Sequence, residues 1–295
     1  MKSLIAAFLL VAGEPQSAGS GPTPAIMVSE ATLPTHTVYR PANLDRGDRL
    51  PLLVWGNGGC VNLGNSAAEF LTEIASHGYL VVAVGPIGSP PARAPRPASA
   101  ETPRPHDPDG VWRPQTDTRA MIRAIDWALD ENSRTDSPYR GRIDPTRIAV
   151  AGHSCGGLLA LDASRDPRVT TSLIMNSGAL NDGTHPQGVE VTKASLQQIH
   201  GPILYVTGGP DDVAHPNAVD DVSRIRHVPV VLAYDASGHG GTYRQPRGGA
   251  YARIAVDWLD WRLKGDAEAA AAFLEGGRLR SDPAWTIRPG QPRRE

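Results

Sequence analysis

Short runs of almost uninterrupted apolar residues, each closed by glycine or a polar turn, recur along this chain. They are "RLPLLVWG" (49–56), "YLVVAVG" (79–85), "RIAVAG" (147–152), "TSLIMN" (171–176), "ILYVTG" (203–208) and "VPVVLAYD" (228–235). Their length and continuous apolar character mark strands buried on both faces, and "THTVYR" (35–40) reads as a further strand. Helical spacing fills the intervals. "SAAEFLTEIASHG" sets Ala67, Phe70, Leu71 and Ile74 on one face, with Gly78 as its stop. "TDTRAMIRAIDWALDEN" does the same through Met121, Ile122, Ile125 and Leu129, "GGLLALDAS" follows the 147–152 strand, and "AYARIAVDWLDWRLKG" closes the core before a short alanine-rich helix. Strand and helix alternating in this way predict an α/β chain with a mostly parallel sheet covered on both faces. The chemistry of such a sheet is expected at the carboxyl ends of its strands.

A chain of 295 residues with 40% hydrophobic and 20% charged content can bury a sizeable core. No second composition regime appears, so residues 21–295 read as a single domain. The stretch 86–116, rich in Pro, Ala and Arg, sustains neither helix nor sheet and reads as a long loop. The net charge of −2, with acids and bases interspersed, leaves no electrostatic footprint for nucleic acid. At the start, Lys2, the apolar run Leu4–Ala12 and small residues up to Gly19 have the grammar of a signal peptide over 1–20, which predicts a secreted or periplasmic protein. That run is about half the ~20 residues of a spanning helix, so no stable membrane insertion is expected. Two cysteines are too few for a disulfide scaffold and lack the paired spacing of a zinc site.

The run at 147–152 breaks into Gly152-His153-Ser154-Cys155-Gly156, a G-x-S-x-G sequence between a predicted strand and a predicted helix. The central residue of such a turn is lifted clear of the backbone, which makes Ser154 the candidate nucleophile. Cys155 comes one place too late and contributes its backbone N–H to an oxyanion hole. A serine hydroxyl needs a base. Among nine histidines, His239 lies in the glycine-rich "YDASGHGGTY" directly after the last strand and satisfies the chain order serine, acid, histidine. His153 reads as packing against the turn, His77 as a helix end, His215 as part of the acid loop, and His106, His185, His200 and His227 as lacking a positioned partner. The acid is expected in "ILYVTGGPDDVAHP". Asp212 is preferred to Asp211 because Pro210 and Asp211 read as turn formers. The second oxyanion donor is expected in "VWGNGGC", with Gly59 first and Cys60 second.

With these segments in order, residues 35–265 resemble the α/β-hydrolase superfamily. "GHSCGG" is similar to the elbow of secreted cutinase-like polyester hydrolases and related lipases, and "GGPDDVAHP" to their acid-bearing loop. Asn57-Gly58-Gly59-Cys60 stands where those families carry a His-Gly pair and a bulky residue. Dienelactone hydrolases put cysteine at the elbow centre, where this chain has serine. The resemblance implies a sheet of about eight strands, a Ser154–Asp212–His239 triad and a serine esterase acting on small-molecule or polymer-borne esters without a cofactor. A peptidase or amidase with the same triad and a non-catalytic binding protein are the alternatives. In the implied fold the strands ending at Trp55 and Gly152 are neighbours, so Cys60 and Cys155 face each other. Either they form a disulfide or they pack as two buried thiols.

Overall fold

The computed structural model describes residues 18–45, 49–88 and 113–290. Most of the expected leader, His106 and the greater part of the proline-rich stretch lie outside the described residues. The strands are β1 (Ala25–Val28), β2 (His36–Pro41), β3 (Leu50–Gly56), β4 (Leu80–Val84), β5 (Ile143–His153), β6 (Thr171–Met175), β7 (Ile203–Thr207), β8 (Val230–Tyr234) and β9 (Thr286–Pro289). They form one sheet in the order β1-β2-β4-β3-β5-β6-β7-β8-β9. From β4 through β8 in that order every pairing is parallel, while β1, β2 and β9 add antiparallel pairings at the two edges. The expected sheet of about eight strands is corrected to nine, because β1 and β9 extend it beyond residues 35–265.

The helices are α1 (Ala68–Ser76), α2 (Thr118–Ser133), α3 (Cys155–Ala163), α4 (His215–Arg224), α5 (Gly249–Leu259), α6 (Ala267–Ala272) and α7 (Arg278–Ser281), with one π-helical turn at Asp260–Lys264. Asp117 caps α2 by accepting from the Ala120 amide at 3.0 Å. Alternate strand residues divide the core. Leu52, Val54, Val82 and Val150 pack with Met121 and Ile125 of α2 and Leu159 of α3, while Leu53, Trp55, Val81 and Ala151 pack with Phe70 and Ile74 of α1 and Ile254 and Trp258 of α5. Helices therefore cover both faces, and only the strand ends are left for a site. Parallel register brings Gly56 beside Gly152, Gly152 beside Ile174, and Thr207 beside Tyr234, so the carboxyl ends of β3, β5, β6, β7 and β8 form one continuous edge. No helix among the described residues is long and apolar enough to cross a membrane.

Candidate active site

Ser154 sits between the last residue of β5 and the first of α3 with φ 53 and ψ −121, a left-handed conformation rare for a residue with a Cβ. Close packing holds it there. A Cβ on Gly152 would collide with the carbonyl of Gly156, and one on Gly156 would collide with the carbonyl of Gly56 at the end of β3. The Ser154 amide donates to Met175 O at 2.9 Å, and its carbonyl accepts from Gly157 N at 2.8 Å and Ser177 Oγ at 2.7 Å. Backbone bonds to β6 and α3 thus fix the turn, leaving the hydroxyl as its free group.

That hydroxyl lies 2.9 Å from Nε2 of His239, whose Nδ1 lies 2.6 Å from Asp212 Oδ1. An ionised carboxylate can only accept, so Nδ1 donates to Asp212 and Nε2 is the ring atom that faces Ser154. Asp212 follows β7 in a tight loop. Its carboxylate also accepts from Gly208 N at 3.0 Å, Ala214 N at 2.9 Å and Asn176 Nδ2 at 2.8 Å. Burial alone would raise its pKa, but these bonds, led by that of His239, outweigh burial and bring it down to about 2. Asp211, the other aspartate weighed from sequence, is exposed.

Among the described residues the remaining histidines take no part in this line. His153 donates from Nε2 to the carbonyl of His239 at 2.9 Å, and burial pushes its imidazole down to about 4, so it stands neutral against the Tyr243 ring. His215 hydrogen-bonds Thr207 Oγ1 at 2.7 Å and opens α4, a helix formed where the sequence reading has a loop. His200 and His227, read as lacking a partner, each hydrogen-bond a backbone carbonyl, of Val169 and Ile199 respectively. These two bonds, invisible in sequence because each crosses between segments, give both residues a structural place, while His185, read in the same way, meets only the carbonyl of its neighbour Pro186 at 3.4 Å.

On the other side of Ser154, residues Gly58–Cys60 form a 3-10 turn after β3, with left-handed φ of 64 at Gly59 and 48 at Cys60. The Cys60 amide donates to Asn57 O at 3.1 Å, which favours Gly59 over Cys60 as the donor for an anion. The Cys155 amide opens α3, where N–H groups lack helical acceptors and the helix dipole favours negative charge. A disulfide joins Cys60 to Cys155 with a Cα separation of 5.2 Å, within the ordinary span of such bridges. It ties together the two segments that carry these amides.

Two asparagines to which the sequence reading gave no role organise the site. Asn57, fully buried, donates to Val84 O at 2.6 Å and Val61 O at 3.2 Å, and accepts from Trp55 Nε1 and Ser66 Oγ. Asn176, also buried, has φ 46. Besides Asp212 it donates to Gly238 O at 3.0 Å, and it accepts from Tyr243 Oη at 2.6 Å. Tyr251 Oη lies 3.3 Å from Asn176 Nδ2. The available signal was an asparagine directly after a buried strand; at Asn176 its tolerance of left-handed backbone suits the turn, whereas Asn57 is extended at φ −83 and only its side chain is used.

The sequence matches no protein-family model and no curated protein. What the site can do is therefore read from its geometry. That geometry couples a hydroxyl to an imidazole and an ionised carboxylate, beside the disulfide that ties the Gly58–Cys60 turn to the start of α3. Among the described residues no group of three or more His, Cys, Asp or Glu side chains is set to hold a metal ion.

Proposed function

We propose that this chain is a serine hydrolase of the α/β-hydrolase fold that cleaves carboxylic esters through an acyl-enzyme intermediate. The observation that carries the reading is the unbroken line from Asp212 through His239 to Ser154, with links of 2.6 and 2.9 Å, ending on a serine in a left-handed strand-to-helix turn. In this scheme Ser154 Oγ attacks the ester carbonyl carbon while His239 Nε2 takes its proton. The Asp212 carboxylate holds the imidazole in the right tautomer and stabilises the imidazolium that forms. The amides of Gly59 and Cys155 donate to the oxyanion, an interaction worth about 2.7–4 kcal/mol for one donor in comparable sites. His239 returns the proton to the leaving alcohol as the carbonyl C–O bond breaks. Water, deprotonated by the same imidazole, then releases the acid, and the scheme needs no cofactor.

The His239 side chain is 37% exposed while that of Asp212 is 0% exposed, so the base reaches the surface and the acid does not. This favours an open site suited to short acyl esters or polymer-borne esters. The Cys60–Cys155 bridge favours work in an oxidising compartment, in line with a secreted or periplasmic protein whose leader lies within residues 1–20. A panel of nitrophenyl esters and the matching anilides, assayed with wild type and Ser154→Ala, tests the reading. Ester turnover should fall by several orders of magnitude in the variant. Equal turnover by both proteins would refute the triad, and cleavage of anilides in preference to esters would make the chain an amidase.

A further inference from the structure

The hydrolase chemistry makes no use of the first described residues, yet they are fastened to α1 by polar contacts. The exposed Ser20 donates its backbone N–H to Glu73 Oε2 at 2.8 Å and its hydroxyl to Glu73 Oε1. Gly21 N donates to Ser76 Oγ at 2.9 Å, and Thr23 donates its N–H and Oγ1 to Ser76 O at 3.1 and 2.7 Å. The Glu73 side chain is only 7% exposed, and among the described residues its ionic neighbour is His77 Nε2 at 3.4 Å. A buried carboxylate is expensive to desolvate unless a cation and hydrogen bonds compensate it. Here a neutral amide occupies the place where a full positive charge would serve better.

The sequence can supply that charge. Lys2, the apolar run to Ala12, and Pro15 lead into Ser17-Ala18-Gly19, which sets small residues third and first before the Gly19–Ser20 bond, the pattern that a leader-cleaving endopeptidase reads. We propose that the exported chain is cut between Gly19 and Ser20 and that the new α-ammonium of Ser20 forms an ion pair with Glu73. Water adds across the amide: the C–N bond breaks, Gly19 leaves with the carboxylate on the leader, and the freed amine takes up a proton. The cut forfeits the neutral bond from Ala25 N to Ala18 O at 2.8 Å and the packing of Gly19 on Ser76. In exchange a charge-assisted bond replaces a neutral one at Glu73, and such bonds are about twice as strong. The inference rests on export and is independent of the ester chemistry.

The test expresses the full chain with its own leader in a secreting bacterial host and determines the N-terminal sequence and intact mass of the exported protein. Ser20 should be the first residue. A start at Glu14, Gly19 or any other residue, or a chain retained uncut, overturns the cleavage. The pairing has its own readout, since an amine paired with a carboxylate has a folded pKa above its unfolded value of about 7.7–8.0. Its stabilisation is complete below that value and is lost as pH rises through the raised pKa. The Tm of the mature protein should therefore exceed that of Glu73→Gln, and that of a protein N-acetylated at Ser20, by a margin that shrinks between pH 7 and pH 10. A margin constant over that range against the acetylated protein overturns the pairing even where the cut is found.

Discussion

Ser154 could be picked out of the sequence because its constraint is local: a left-handed turn needs small neighbours, and glycines stand two places to either side of it. Asp212 and His239 were legible for a related reason, each following an apolar run in the chain order that the motif demands. Asn176 was not, because its worth comes from β6, the acid loop and the His239 loop meeting in space. Asn176→Gly keeps the left-handed backbone but removes the amide that donates to Asp212 and Gly238. Hydrogen bonds to charged groups contribute about 1.5–3 kcal/mol, so kcat should fall roughly 10- to 100-fold, read by steady-state kinetics at constant fold by circular dichroism. Asp212→Asn should cost orders of magnitude in turnover, whereas Asp211→Asn, altering an exposed side chain, should cost little. Asp212 also ties stability to pH. Its folded pKa of about 2 lies below the ordinary carboxylate value of about 3.9. Its contribution is thus present above that ordinary value and is lost as pH falls through about 2. Urea unfolding of wild type and Asp212→Asn should show a stability gap above pH 4 that closes toward pH 2.

The elements read most clearly were those with the most buried surface: β3, β4, β5, β6, β7 and β8 are runs of apolar residues, and α1, α2 and α5 carry clear apolar stripes. The misses were β1, β9, α4 and the single-turn α7. The first two are four-residue edge strands: β1, apolar throughout at Ala25–Val28, is too short to show a period, and β9 has one aliphatic residue, Ile287, and ends in Pro289. In α4 only Ala218 and Asp221 are buried, and the helix is held by polar contacts. Asp221 accepts from Ala179 N at 2.8 Å and Lys193 Nζ at 2.7 Å, which moors the connection between β6 and β7. The disulfide belongs to this scale too, since its reach depended on β3 and β5 being neighbours. Cys60 and Cys155 are 95 residues apart in sequence, and closing a loop of that size is worth about 2–5 kcal/mol. Cys60→Ala with Cys155→Ala should lower Tm accordingly in thermal denaturation. It should also slow acylation in a pre-steady-state burst assay, because the Gly59 turn would no longer be tied to α3.

At the scale of the whole molecule, antiparallel strands close both margins of a parallel sheet. β9 pairs with β8, the strand that delivers the His239 loop, and sets Ile287 beside Ala233. Removing residues from Pro283 onward would take away the buried Trp285 and Ile287 and leave β8 as an open edge. Each lost side chain is worth about 1.5–3 kcal/mol, so the truncated protein should melt earlier and aggregate, measured by thermal denaturation with light scattering. A different margin of tolerance governs the centre of the sheet. There α3 rests on β3 and β5 through the backbones of Gly56, Gly152 and Gly156, with no side chain between them. The position of Ser154 is consequently set by main-chain contact and not by the bulk of the surrounding core. Over many generations the apolar residues of the two core layers could be exchanged for others of similar size with the reactive geometry unchanged, while Gly152 and Gly156 would have no substitute, and compensating changes elsewhere could not restore one.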